Sequence, residues 1–163
     1  MTLDPEQLRH AMRAWTTGVT VVTATHAGQQ YGMTVNSFTS ISLEPPLVSL
    51  ALRKLTHTHE LVEKSGEFSV TILAAEQKEL SDRFAGKHPE IKDRFEGVAT
   101  EKLLIDAPLL KGGISHFNCR VVNSMPVGEN TLFVAEVIAA QGKGTGEPLV
   151  YHNRVYWTLE IQG

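Results

Sequence analysis

The chain has 163 residues, 42% apolar and 20% charged, the proportions of one ordinary globular domain spanning residues 1–163. Its 15 Lys and Arg against 18 Asp and Glu leave a net charge of -3, and no basic run interleaves with aromatics, which excludes a nucleic-acid binder. A lone Cys119, a polar start at Met1-Thr2-Leu3-Asp4-Pro5 and the lack of an apolar run near the roughly 20 residues of a membrane span predict a cytoplasmic protein with no membrane association.

Asp4, Pro5 and Gln7 read as N-cap, first-turn proline and capping-box acceptor, so Leu8, Met12 and Trp15 predict an amphipathic helix to about Ala14. Residues 19–25 and 31–36 are β-rich and flank the turn Ala27-Gly28-Gln29-Gln30, which predicts a hairpin. After Pro45-Pro46, the apolar run 47–52 predicts a central strand buried on both faces and stopping near Arg53.

Thr58 is the expected cap of a short helix through Leu61, Val62 and Lys64, closed by Gly66. Residues 68–73 alternate as a strand, and 76–85 form a helix with Leu80 and Phe84 on one side. Residues 87–111, broken by Pro89, Gly97 and Pro108, predict a helix-containing surface excursion.

Strands are expected again at 114–123, 131–140 and 154–161, the last with Val155, Trp157, Leu159 and Ile161 on one face. Turns at Pro126-Val127-Gly128 and at 142–146 join them. Six or so short antiparallel strands with a few inserted helices predict a closed or nearly closed barrel.

Thr34-Val35-Asn36-Ser37 crowds hydroxyls and an amide at a strand end, where they suit either a polar heterocycle or the turn's own backbone. Thr56-His57-Thr58 precedes a helix and, with Arg53 nearby, suits either an anion or plain capping. His57 with His59, and His116 with Cys119, lack a third ligand at zinc spacing and read as exposed or capping residues, so no metal is expected. Gly142-Lys143-Gly144-Thr145-Gly146 has its lysine ahead of the glycines and no following helix, so it reads as a hairpin turn. No nucleophile stands in a supporting motif, so if the chain is an enzyme a cofactor is expected to supply the reactive centre.

Thr17-Gly18-Val19-Thr20-Val21-Val22-Thr23, Gly32-Met33-Thr34-Val35-Asn36-Ser37-Phe38, Ser42-Leu43-Glu44-Pro45-Pro46-Leu47-Val48, Ser81-Asp82-Arg83-Phe84-Ala85 and Pro148-Leu149-Val150-Tyr151 occur in this order. In that arrangement, over nearly its whole length, the chain resembles the short-chain flavin reductase family, which includes reductase components of two-component monooxygenases such as the 4-hydroxyphenylacetate hydroxylase system. The resemblance implies a mainly β fold with inserted helices, an antiparallel FMN-binding split β-barrel of Greek-key type. It implies a homodimer that reduces FMN, or FAD, with NADH or NADPH and supplies a flavin-dependent oxygenase.

By the same resemblance Thr34, Val35, Asn36 and Ser37 meet the flavin ring and ribityl chain, and Ala51, Leu52 and Arg53 form a second wall. Thr56 and Thr58 match a hydroxyl pair at the phosphate, while Arg83 and Phe84 match a segment that closes over the flavin. No side chain is implied as catalytic, because flavin N5 accepts the hydride. Asn130 and His152 fall on the nicotinamide side. Many members carry Gly-Asp-His where this chain has Gly128-Glu129-Asn130. Asparagine keeps a donor and an acceptor but carries no charge, so a flavin-binding electron carrier without efficient nicotinamide turnover stands as the second reading.

Overall fold

The computed structural model describes residues 2–142 and 144–162. Helix α1 (Pro5–Ala11) is capped by the Asp4 carboxylate, which accepts from the Glu6 amide, and runs on into a 3-10 turn at Met12–Ala14. Strands β1 (Thr17–Gly18), β2 (Thr20–His26), β3 (Gln29–Val35), β4 (Thr39–Ser42) and β5 (Leu47–Arg53) follow, then helix α2 (His57–Ser65) and strand β6 (Glu67–Ile72). Helix α3 (Lys78–Phe84), short strands β7 (Thr100–Glu101) and β8 (Leu109–Leu110), long strands β9 (Ser115–Val127) and β10 (Asn130–Gly142), then β11 (Val150–His152) and β12 (Val155–Trp157) complete the order.

Seven strands form one antiparallel sheet in the order β3-β2-β6-β9-β10-β5-β4. Ala27 and Gly28, at φ 49° and 78°, give the β2–β3 hairpin a two-residue turn of the hand that matches strand twist. Bulges at Val134/Ala135 and Val137/Ala139 interrupt the 13-residue β9–β10 ribbon and increase its bend. The sheet curls until Ser37, just past β3, reaches β5 near the opposite edge: its Oγ donates to the Ala51 carbonyl at 2.9 Å. This is the nearly closed, split barrel expected from the sequence. Because β5 and β6 are not neighbours, the chain crosses the barrel end through α2, whose Leu61 and Val62 join Val22, Leu50, Phe68 and Phe133 in the interior.

Strand β2 is buried on both faces, with Val22 and Ala24 in the barrel interior and Val19, Val21, Leu73, Phe84 and Leu149 making a second core outside it. The expectation of two-sided burial for 47–52 is corrected: β5 alternates, with Val48, Leu50 and Leu52 buried and Leu47, Ser49 and Ala51 only partly covered. The 87–111 excursion contains no helix among its described residues. Its backbone is pinned onto the sheet by buried polar groups instead: Thr23 donates to the Pro108 carbonyl, Ser69 to Ala107, and the Asn118 carbonyl oxygen accepts from Leu104 and Ile105. Those bonds satisfy a backbone whose only ladder is the two-residue β7–β8 pairing.

Strands β1, β11 and β12 form a separate small sheet. The segment 142–146 therefore connects two sheets rather than making a hairpin, and Lys143 lies outside the described residues. At the C-terminus only Val155–Trp157 is strand, and its orientation reverses the expected one. Val155, Trp157, Leu159 and Ile161 are exposed, whereas Tyr156 turns inward because its hydroxyl finds partners on α3. Leu8, Met12 and Trp15 of the first helical segment are likewise exposed.

Candidate functional site

Four segments enclose a cleft of about 830 Å³: residues 29–34 of β3, residues 55–58 at the start of α2, residues 84–86 at the end of α3, and residues 88–95 of the excursion. Each is brought there by an identifiable contact. Leu55, 90% exposed and at φ 65°, adopts a left-handed conformation that costs a non-glycine residue roughly 1 kcal/mol, and it turns the chain from β5 into α2. Thr56 then caps α2, its Oγ1 accepting from the His59 amide at 3.3 Å and donating to the Arg53 carbonyl at 2.9 Å. The cap is Thr56 and not Thr58, which lies inside the first turn and is buried, although both line the cleft.

His57 stacks on Tyr31 with ring centroids 4.5 Å apart and planes 18° from parallel. His59 points the other way into the core, its Nε2 2.8 Å from Thr131 Oγ1. His116 is also buried, against the Leu110 carbonyl, so the expectation of exposed or capping rings fails for these two. Their side chains bridge elements instead. Among the described residues no three His, Cys, Asp or Glu side chains are grouped to hold a metal. Burial pushes the Cys119 thiol up to about 12, which leaves it an unreactive core group.

The far wall of the cleft depends on Arg94. Its Nη1 donates to the Gly32 carbonyl at 3.0 Å and to the Phe84 carbonyl at 2.8 Å, tying the excursion to both β3 and the end of α3. Gly32 is needed for this approach, because a Cβ there would lie 2.9 Å from the Phe84 ring. Phe84 is fully buried and meets Phe95 edge-on at 5.1 Å. It is therefore a foundation of the wall, not a side chain free to close over a ligand. Arg83 Nη2 donates to the Glu96 carbonyl, which fixes the same wall from outside. Tyr31, Lys92 and Arg94 are site residues that sequence reasoning missed. The Asp93-Arg94-Phe95 triplet gave no local signal, since its placement depends on where the excursion lands.

Thr34 donates to the Ser81 carbonyl at 2.7 Å, and the Val35 carbonyl accepts from Thr20. The hydroxyls at this strand end thus hold α3 and β5 in place, while Asn36 stays exposed at the rim. On β5 the fully buried Leu52 faces the barrel interior, so Ala51 and Arg53 alone offer the second wall. Asn130 opens β10 directly opposite Arg53, whose Nη2 lies 3.8 Å from Glu129. His152 sits apart on the small sheet, with Nδ1 2.8 Å from Thr16 Oγ1 and its ring edge-on to Trp157. The structure joins Asn130 to the Arg53 wall but gives His152 no contact with either.

A smaller pocket of about 190 Å³ shares Thr34 and Ala85 with the cleft and continues to Val35, Asn36, Lys87, Tyr151 and Tyr156. Under it, Tyr156 Oη donates to Asp82 Oδ1 at 2.6 Å, Lys87 Nζ reaches the same oxygen at 2.6 Å, and Ser81 Oγ is 2.8 Å from Tyr156 Oη. Burial works to raise the Asp82 carboxyl, but the bonds from Lys87 and Tyr156 outweigh it and hold it below the ordinary 3.8. The Asp82 carboxylate raises Lys87 in turn, and burial raises Tyr156.

The profile of the flavin reductase like domain matches residues 12–160. The reductase component of a 4-nitrophenol 4-monooxygenase/4-nitrocatechol 2-monooxygenase from Rhodococcus opacus is 36% identical over 150 residues, 92% of this chain and 78% of that protein. An FMN reductase (NADH), SmoA, from Agrobacterium fabrum is 37% identical over 159 residues, 98% of this chain and 88% of the relative. Among solved structures, the NADH:FAD oxidoreductase SgcE6 of Streptomyces globisporus superposes with a TM-score of 0.89 at 33% identity, covering 99% of this chain and 98% of that one.

Proposed function

The chain belongs to the flavin reductase like domain family and is an oxidoreductase of flavin, and from this we propose that it reduces FMN with NADH for use by a separate monooxygenase. The observation that carries this reading is the continuity of the cleft. It runs from a helix start with Thr56 and Thr58 to Thr34, its volume of about 830 Å³ is of small-molecule size, and the smaller pocket that shares Thr34 continues to Val35 and Asn36.

The groups present suit FMN at both ends. At the α2 end, the first-turn amides, the Thr56 hydroxyl and the Lys92 and Arg94 cations favour a phosphate. At the other end, Val35 and exposed Asn36 line the smaller pocket, on which the flat heterocycle would border. Bound flavin supplies a nitrogen that accepts hydride. The residues of this chain then bind, orient and shield, a role that needs no protein acid or base. On this reading Asn130, opposite Arg53 in the β10–β5 register, gives a neutral hydrogen bond on the nicotinamide side.

The protein acts as a homodimer in the cytoplasm on this reading. Support for the dimer comes from apolar surface that the described residues leave uncovered. The Asn153 amide donates to the Arg13 carbonyl, which joins the segment carrying exposed Met12 and Trp15 to the one carrying exposed Val155 and Trp157. No described helix is long and apolar enough to cross a membrane.

The test is NADH and NADPH oxidation by the purified protein, with and without added FMN and FAD, followed by absorbance. Turnover that requires FMN supports the proposal. Tight FMN binding without turnover would replace it with the electron-carrier reading, which the uncharged Asn130 favours.

A further inference from the structure

We propose that Lys87 is the cation that makes this site hold reduced flavin more tightly than oxidised flavin, with its ammonium set in place by Asp82 and Tyr156 under the smaller pocket. The inference rests on the flavin reading of the site and adds to it a residue that neither the sequence motifs nor the cleft residues had singled out.

Lys87 lines the pocket that also holds Val35 and Asn36, the strand end to which the ring is assigned. Three charged groups meet around the Tyr156 ring there. Lys78 Nζ lies 5.7 Å and Lys87 Nζ 5.2 Å from the ring centroid, and the Asp82 carboxylate accepts from the Tyr156 hydroxyl. Two cations against one anion leave this corner with a net positive charge. Asp82 Oδ1 already accepts from both Tyr156 and Lys87, so the carboxylate faces its own partners. The Lys87 side chain is 53% exposed, which leaves its remaining N–H groups available at the pocket mouth.

The charge balance of the reaction says what such a cation does. Oxidised flavin has a neutral ring. Hydride transfer breaks one C–H bond of the dihydronicotinamide and carries its two electrons to the ring, so the nicotinamide becomes a cation and the ring takes up one negative charge. A fixed ammonium beside the ring attracts the product and is nearly indifferent to the reactant. An ion pair that merely braced α3 against β12 would not distinguish the two redox states.

The experiment measures Kd for oxidised FMN and for FMN reduced under anaerobic conditions, in the wild-type protein and in Lys87→Met and Lys87→Arg variants. Lys87→Met is expected to weaken reduced FMN about tenfold more than oxidised FMN. That ratio corresponds to a fall of about 30 mV in the two-electron potential of bound flavin. Lys87→Arg, which keeps the charge, is expected to retain most of the preference. Equal loss of both forms, or no change in either, overturns the role of Lys87 while leaving the flavin site standing. A wild-type protein that binds neither form overturns the flavin reading and this inference with it.

Discussion

Thr56 joins two consequences in one side chain, since its hydroxyl caps α2 and also stands at the cleft. Replacing it with alanine costs about 1 kcal/mol of stability through the lost cap. If the phosphate lies there, Thr56→Ala also weakens FMN at least tenfold while leaving riboflavin, which has no phosphate, nearly unaffected. Titration calorimetry with both ligands checks this, and equal losses would remove the phosphate from this position. Asp82 sets a pH dependence of known sign. Its folded-state value is held below the ordinary 3.8 by bonds from Lys87 and Tyr156, so its stabilisation is complete above the unfolded value and disappears as pH falls through the lowered folded value. Tyr156→Phe removes one of those bonds. The variant's melting temperature should therefore fall less steeply with acid than that of the wild type as pH drops below the ordinary 3.8 of the carboxyl.

Among the elements, the excursion over residues 87–111 depends most on single anchors, because its only regular structure is the two-residue pairing of β7 with β8. Arg94 is the anchor at the cleft, with bonds to the carbonyls of Gly32 and Phe84. In Arg94→Met, two partly buried carbonyls lose a charged donor, a change of about 1.5–3 kcal/mol per bond at the upper end. Hydrogen exchange is expected to speed up in residues 88–95 while the barrel strands stay protected, and FMN binding is expected to weaken with it. A uniform rise in exchange would instead mean that Arg94 supports the whole fold. Phe84 behaves differently from what its motif suggested: a fully buried ring under the wall predicts that Phe84→Ala acts on stability, by about 3–5 kcal/mol, before it acts on ligand closure.

For the molecule as a whole, the unusual feature is apolar surface at both termini. Trp15 is 67% exposed and Trp157 51% exposed, on segments held together by β1–β11 pairing and the Asn153 to Arg13 bond. Exposed tryptophans on neighbouring segments suit the core of an interface between copies. Light scattering is expected to give twice the chain mass for the wild type. A Trp15→Glu, Trp157→Glu double variant should shift toward the monomer by placing charges in that contact. A wild-type monomer at micromolar concentration would remove the dimer from the proposal.

The sequence by itself determined the order and type of most elements, since alternation, caps and turn residues act locally. Pro5 and Asp4 start α1, Ala27-Gly28 turns β2 into β3, and Gly66 at φ 69° closes α2. Short contiguous stretches singled out in the sequence also reach the cleft, which Thr34 and residues 56–58 line. Tertiary structure alone decided which faces were buried and which distant residues completed the site. Burial of β2 rather than β5 on both faces follows from a second core laid over β2. Tyr156 turns inward against the apolar alternation of its strand because Asp82 and Ser81, more than seventy residues earlier, supply its hydroxyl with partners. Arg94, Lys92 and Lys87 reach the site only because a mostly irregular excursion, with no more than the short β7–β8 pair, folds back onto the sheet. No local propensity encodes that return, since it is held by side-chain bonds whose partners lie far away along the chain.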